Sequence, residues 1–152
     1  MSDINTRARK QTALSLFEAG RLSEATTICR DICDADSTDA GAHCLLGLIH
    51  IKQGNMLEAE RFLRTAISLR PDFADAHSNL GALLEKQDRM DEAMACYREA
   101  LHVKPDHANA RYNLGHVLKA LGRFSEAIDC YHQTLAIEPK HANCHYSLAT
   151  IE

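Results

Sequence analysis

Pro71, Pro105 and Pro139 stand 34 residues apart, and the same step carries other residues with it. Leu46-Gly47, Leu80-Gly81 and Leu114-Gly115 recur at that spacing. So do Glu24-Ala25, Glu58-Ala59, Glu92-Ala93 and Glu126-Ala127. Tyr97 and Tyr131 correspond, with Leu63 and Cys29 at the equivalent earlier places. A fixed period of this length restricts the fold more than composition can. One such repeat is too short to bury its own apolar face, so neighbours must stack and contacts run from each repeat to the next.

The phase sets four full repeats, 6–39, 40–73, 74–107 and 108–141, and the opening of a fifth, 142–152. Repeat 1 diverges most: Thr12-Ala13 replaces Leu-Gly, and Ser37 replaces the proline. In repeat 3, Ala76, Leu80, Leu83 and Leu84 recur at helical spacing. After a polar break from Lys86 to Arg89, Ala93, Cys96, Tyr97, Ala100 and Leu101 do the same. Each repeat is therefore expected to hold two helices, the second ending before the proline. Gly20, Gly54 and Gly122 fall in the break, with Asp88 in their place in repeat 3, so a left-handed backbone is expected there. Glycine inside a helix costs about 1 kcal/mol. Its recurrence in Leu-Gly predicts a neighbouring helix pressed close.

The pattern Asn79-Leu80-Gly81, Leu84, Glu92-Ala93, Tyr97, Ala100, Pro105 resembles the tetratricopeptide repeat family. Asn113-Leu114-Gly115, Leu118, Gly122, Glu126-Ala127, Tyr131, Pro139 resembles it again, and the likeness runs from Thr6 to Glu152. The resemblance implies an all-α, right-handed superhelical solenoid of antiparallel helix pairs. First helices would line a concave groove and second helices the convex back. It implies a protein or peptide partner held in that groove. Carried onto this sequence, the lining positions include Leu14, Phe17, Leu45, Leu48, Ile51, Asn79, Glu85, Tyr112, Asn113, His116, Lys119 and Tyr146. Asn79 and Asn113 align, similar to the asparagine ladder of O-GlcNAc-transferase-like arrays. Such a ladder would hydrogen-bond the backbone of an extended peptide.

Leu14, Phe17, Leu45, Leu48 and Ile51 make the other half of the expected groove apolar. With Leu46 and Ile49, the first helix of repeat 2 is apolar nearly all round and expects burial on every side. Leaving these side chains in water would forgo roughly 1.5–3 kcal/mol apiece. A peptide, a second copy of the chain or a further segment is expected to cover them. Leu48→Asp is expected to spare the fold and abolish association.

Other functional classes fit poorly. The net charge is −4, aromatics are 5% and Trp is absent, so neither a basic stripe nor a base-stacking surface is expected, and no nucleic acid. The longest apolar stretch, Cys44 to Ile51, is far below the ~20 residues of a membrane span, so no membrane is expected. The opening residues lack a basic segment followed by an apolar one, which predicts a cytoplasmic chain whose six Cys are thiols. His43, His77 and His145 share one repeat position, with Arg111 in repeat 4. Copies of a helix position lie ~10 Å apart, too far to share an ion bound at ~2 Å. No metal and no cofactor are expected. No nucleophile, phosphate loop or carboxylate pair stands out, so the chain alone is not read as an enzyme. The last repeat stops mid-helix, leaving Leu148 and Ala149 without a following helix. That also suits the N-terminal substrate-recruiting region of a larger glycosyltransferase or sulfotransferase. A third reading is an array that self-associates through its apolar groove or uncapped C-terminal end.

Overall fold

At every break between the two helices of a repeat, the chain turns through the left-handed region. The φ angle is +78° at Gly20, +79° at Gly54 and +75° at Gly122, and +61° at Asp88. The computed structural model describes residues 2–151, and every regular element among them is a helix. In order these are α1 (Ser2–Glu18), α2 (Leu22–Ala35), α3 (Ala40–Lys52), α4 (Met56–Leu69) and α5 (Ala74–Lys86). Then come α6 (Met90–Val103), α7 (Ala108–Ala120), α8 (Phe124–Ile137) and α9 (Ala142–Ala149). None is long and apolar enough to cross a membrane.

The second helices end for a local reason. Arg70, Lys104 and Glu138 precede the three prolines and take φ of −140°, −132° and −125°. The proline ring forces its predecessor out of the helical region. Asp36 takes the same shape, φ −144°, although Ser37 follows it. Its Oδ1 accepts from the backbone N of Thr38 at 2.9 Å and from Oγ1 of Thr38 at 2.6 Å. An aspartate-centred turn thus does in repeat 1 what proline does elsewhere.

Helices α3, α7 and α9 are capped from the residue just before them. Oδ1 of Asp39 accepts from the N–H of Ala42 at 2.9 Å. Nδ1 of His107 and of His141 accept from the N–H of Ala110 and Cys144, both at 3.1 Å. Such caps satisfy donors that the first helical turn leaves unpaired. Second helices start differently. Arg21, Arg89 and Arg123 fork onto Glu24, Glu92 and Glu126, three residues on, at 2.6–2.7 Å. In repeat 2 Asn55 replaces the arginine, and Glu58 pairs with Arg61 instead. The glutamate of each Glu-Ala pair is therefore a surface partner, while the alanine is core: Ala25, Ala59, Ala93 and Ala127 are fully buried.

The chain divides into two compact units between Ala76 and His77. In the first, Ala13, Ala25, Cys29, Leu45, Leu46 and Ile49 form one apolar cluster. In the second, Leu83, Leu84, Val117, Tyr97 and Tyr131 are buried almost completely. The Leu-Gly positions show the expected close approach. A Cβ on Gly81 would stand 2.7 Å from Cε1 of Tyr97, and one on Gly115 would stand 2.8 Å from Cε1 of Tyr131. Leu63 presses on Gly47 at 2.7 Å in the same way. A side chain at these positions would overlap the partner helix.

Candidate functional site

The histidines that share one repeat position have a local role. Nε2 of His43 lies 3.0 Å from the carbonyl of Ser37, and Nε2 of His145 lies 2.8 Å from that of Pro139. Arg111 replaces histidine in repeat 4, and its Nη2 donates to the carbonyl of Pro105 at 2.7 Å. Each side chain reaches six residues back and ties its helix to the preceding turn. The thiols are withdrawn as well. Cys29, Cys44, Cys130 and Cys144 are buried. Burial pushes the Cys29 thiol up to about 12 and the Cys33 thiol to about 11. Neither is a thiolate, hence neither a nucleophile nor a ready metal ligand, near neutral pH. Among the described residues no three His, Cys, Asp or Glu side chains stand close enough to hold one metal ion.

The apolar residues expected to face a partner in repeats 1 and 2 are largely covered from within their own unit. Leu45 is buried in the core cluster, a correction to the expectation that it faces a ligand. Leu14, Phe17 and Leu48 are half-buried and pack on that cluster, and Ile51 is half-buried too. Nζ of Lys52 sits 4.1 Å above the Phe17 ring, covering its outer face. The helix that sequence reasoning found apolar all round is covered partly by α1. No external occupant is needed to explain its composition.

The second unit carries a polar row on its first helices. The Tyr97 hydroxyl donates to Oε2 of Glu85 at 2.9 Å. Oε1 of the same carboxylate lies 2.6 Å from Nδ1 of His116. The Asn113 side chain lies near the Tyr97 hydroxyl and favours its ionised form. Burial, and next the Glu85 charge, raise the Tyr97 pKa well above its ordinary value, so the phenol stays a donor. Asn79 is half-buried on α5.

Farther along, Nζ of Lys119 donates to Oγ1 of Thr150 at 2.6 Å. Glu85–His116 and Lys119–Thr150 both span 31 residues. The same step from Phe17 reaches Leu48 (17 + 31 = 48), where both residues are apolar and pack on one cluster. The same pair of repeat positions is polar in the second unit and apolar in the first. Tyr112 adds rings: its centroid lies 4.7 Å from His141, 5.7 Å from Tyr131 and 6.5 Å from His116. The His116 side chain is 53% exposed, and Tyr146 is 73% exposed. Large exposed aromatic surface is costly in water and useful at an interface.

Tyr112 and His116 stand side by side on α7 with Asn113 half-buried next to them, and Tyr146 is exposed on α9. Sequence reasoning placed Glu85 and Lys119 among the lining positions but did not see their contacts. The signal was present in the 31-residue step that joins each pair.

Two family models described as tetratricopeptide repeat match the sequence, one over residues 72–140 and the other over 40–73. No curated protein matches it. Among solved structures, the chain is similar to PilF of Pseudomonas aeruginosa. That likeness has 22% identity and a TM-score of 0.92, covering 98% of this chain and 68% of the other. A crystal structure of MamA is 22% identical with a TM-score of 0.79, covering 91% and 81%. The AMB-1 MamA is 28% identical with a TM-score of 0.74, covering 98% and 81%. These likenesses show a shared helical-repeat fold.

Proposed function

Because the chain belongs to the tetratricopeptide repeat family, we propose that it is a protein-interaction module whose partner lies across α7 and α9. The repeats in this reading are 6–39, 40–73, 74–107 and 108–141, with 142–152 opening a fifth. The partner is an extended segment or helix of another polypeptide. The observation that carries the reading is the half-buried Tyr112 ring beside the exposed His116 on α7, with the exposed Tyr146 at the equivalent position on α9. Tyr112 and Tyr146 are 34 residues apart (146 − 112 = 34), so equivalent positions offer two rings to one ligand. Rings anchor a ligand at small entropic cost, since few torsions are frozen. Asn113 and His116 supply hydrogen bonds beside them. Catalysis is not assigned to the chain. Six free cysteines suit a reducing compartment such as the cytoplasm.

An array of short peptides tests this reading. The wild-type chain binds a defined subset, and the double variant Tyr112→Ala with Tyr146→Ala loses that subset while keeping its helical spectrum. Binding of the same peptides at the same strength by the variant would contradict the reading. So would an array on which the wild-type chain binds nothing.

A further inference from the structure

Asp39 and His141 hold the same repeat position, each one residue before a first helix. Both accept from the backbone N–H three residues on. Oδ1 of Asp39 takes that of Ala42 at 2.9 Å, and Nδ1 of His141 takes that of Cys144 at 3.1 Å. The two acceptors differ in chemistry. A carboxylate keeps its charge down to pH about 4. An imidazole nitrogen accepts only while the ring is neutral. Because a backbone N–H can only donate, Nδ1 of His141 is the bare nitrogen and the ring proton sits on Nε2. The companions of the two residues differ as well. Nζ of Lys10 donates to Asp39 at 2.8 Å. Tyr112 stands at the repeat position of Lys10, and its ring centroid lies 4.7 Å from that of His141. The His141 ring therefore touches α9 through its cap and α7 through Tyr112.

We propose that His141 is a pH-operated latch. Neutral, it caps α9 and backs the Tyr112 ring; protonated, it leaves the cap, takes that support from Tyr112 and weakens the hold on the partner. The effect on the partner rests on the reading of α7 and α9 as the partner-binding face. On protonation Nδ1 gains a hydrogen, and two donors face each other across 3.1 Å. The new cation also stands at the positive end of the α9 dipole. Attraction of an exposed cation to the Tyr112 ring is smaller than a lost cap and an opposed dipole together. The N–H of Cys144 keeps its other acceptor, the His141 carbonyl at 3.1 Å, so α9 is loosened and not unfolded. α9 has eight residues, and a helix that short leans on its cap.

The groups around the ring leave this balance in place. Glu138, at the end of α8, and Lys140 line one hollow with His141 and carry opposite charges. Burial pushes the Tyr131 phenol of α8 up to about 12, so it is neutral. On α9, Nε2 of His145 is engaged by the carbonyl of Pro139 at 2.8 Å. On α7, His116 meets the Tyr112 ring at 6.5 Å and is held by Glu85. The latch is closed above neutral pH and opens as pH falls through the histidine range, roughly pH 8 to 5.

Amide exchange of the isotopically labelled full chain, read by NMR at about pH 7.5 and about pH 5.5, tests the inference. Rates are corrected for the intrinsic effect of pH. In the wild type, protection of the Ser147 and Leu148 amides drops at least about threefold at the lower pH, the size of a lost cap. His141→Asn and His141→Asp each keep a capping acceptor that takes no proton in this range, and each removes the drop. His107 caps α7 by the same kind of bond, so the comparison is read at α9 with His141 alone replaced. A peptide selected on the array is then titrated at both pH values. Acidification weakens its binding to the wild type at least about threefold more than to either variant, a factor that a titration resolves. Equal loss of protection in all three chains, or loss in none, would overturn the inference. So would a peptide affinity with the same pH dependence in all three. Loss of α9 protection confined to the wild type, on a chain that binds no peptide at α7 and α9, supports the cap switch and rejects the face.

Discussion

Oε1 of Glu85 and Nδ1 of His116 lie 2.6 Å apart, joining α5 to α7 inside one unit. The other oxygen of Glu85 takes the hydrogen bond of the buried Tyr97 hydroxyl. One carboxylate therefore ties three helices, since Tyr97 lies on α6. The Glu85 side chain is 19% exposed, so its bonds are made largely out of water.

Tyr97→Phe and Tyr131→Phe are expected to differ in stability although they are the same change in successive repeats. Tyr97→Phe loses a bond to a charged acceptor, worth about 1.5–3 kcal/mol. Tyr131→Phe removes a donor that has no partner, so it is neutral or stabilising. Urea denaturation of the two variants, compared at equal m-value, checks the contrast. Equal losses would contradict the assignment of Glu85 as acceptor.

Gly81→Ala is expected to destabilise the chain even though alanine favours helix. The helix gain is about 1 kcal/mol. The new Cβ would stand 2.7 Å from the Tyr97 ring, and overpacking of this kind costs roughly 1–3 kcal/mol. Because Tyr97 is held at its hydroxyl, its ring cannot easily retreat, and the net effect is a loss. Thermal melting reads it directly.

Asp88→Gly is expected to stabilise the chain. Asp88 is the non-glycine residue with positive φ among those described, and left-handed backbone costs an L-residue about 1–2 kcal/mol. Part of the gain is offset by the greater freedom of glycine in the unfolded chain. The expected net rise is a few tenths to about 1 kcal/mol in chemical denaturation.

Much of this fold was legible because each copy repeats the same physical demand. Ala25, Ala59, Ala93 and Ala127 are all core, and the turn glycines forecast positive φ, including that of Asp88. The apolar half of the site was misread at Leu45. Its repeat position is Asn79 and Asn113 in later copies, so the pattern pointed outward, whereas packing against the α1–α2 cluster buries it. Leu48→Asp now carries a cost to folding, since Leu48 packs on that same cluster. The capping by His107 and His141 was also invisible, because no propensity marks histidine as the acceptor for a helix start.

Stability is expected to fall as pH drops below neutrality, in part through His50. Burial depresses its pKa below 6.5, and its ring stacks on Phe62 with centroids 5.3 Å apart. Above 6.5 both folded and unfolded forms are neutral, and the residue adds no pH dependence. Below it the unfolded chain takes the proton first. Stability therefore declines until pH passes the folded value, then levels. Glu58 and Glu126, held below the usual carboxylate range by Arg61 and Arg123, add a second decline as pH falls through 4.5 and lower. Melting temperature against pH, with His50→Gln as control, isolates the upper step, which the variant lacks.

The most direct test of the account is to map where a bound peptide sits. A peptide selected on the array is titrated into the labelled chain, and amide shifts are assigned along the sequence. The account predicts that the largest changes fall in α7 and α9, centred on Tyr112, His116 and Tyr146. Changes confined to the second helices, for instance around the exposed Phe124 of α8, would contradict it.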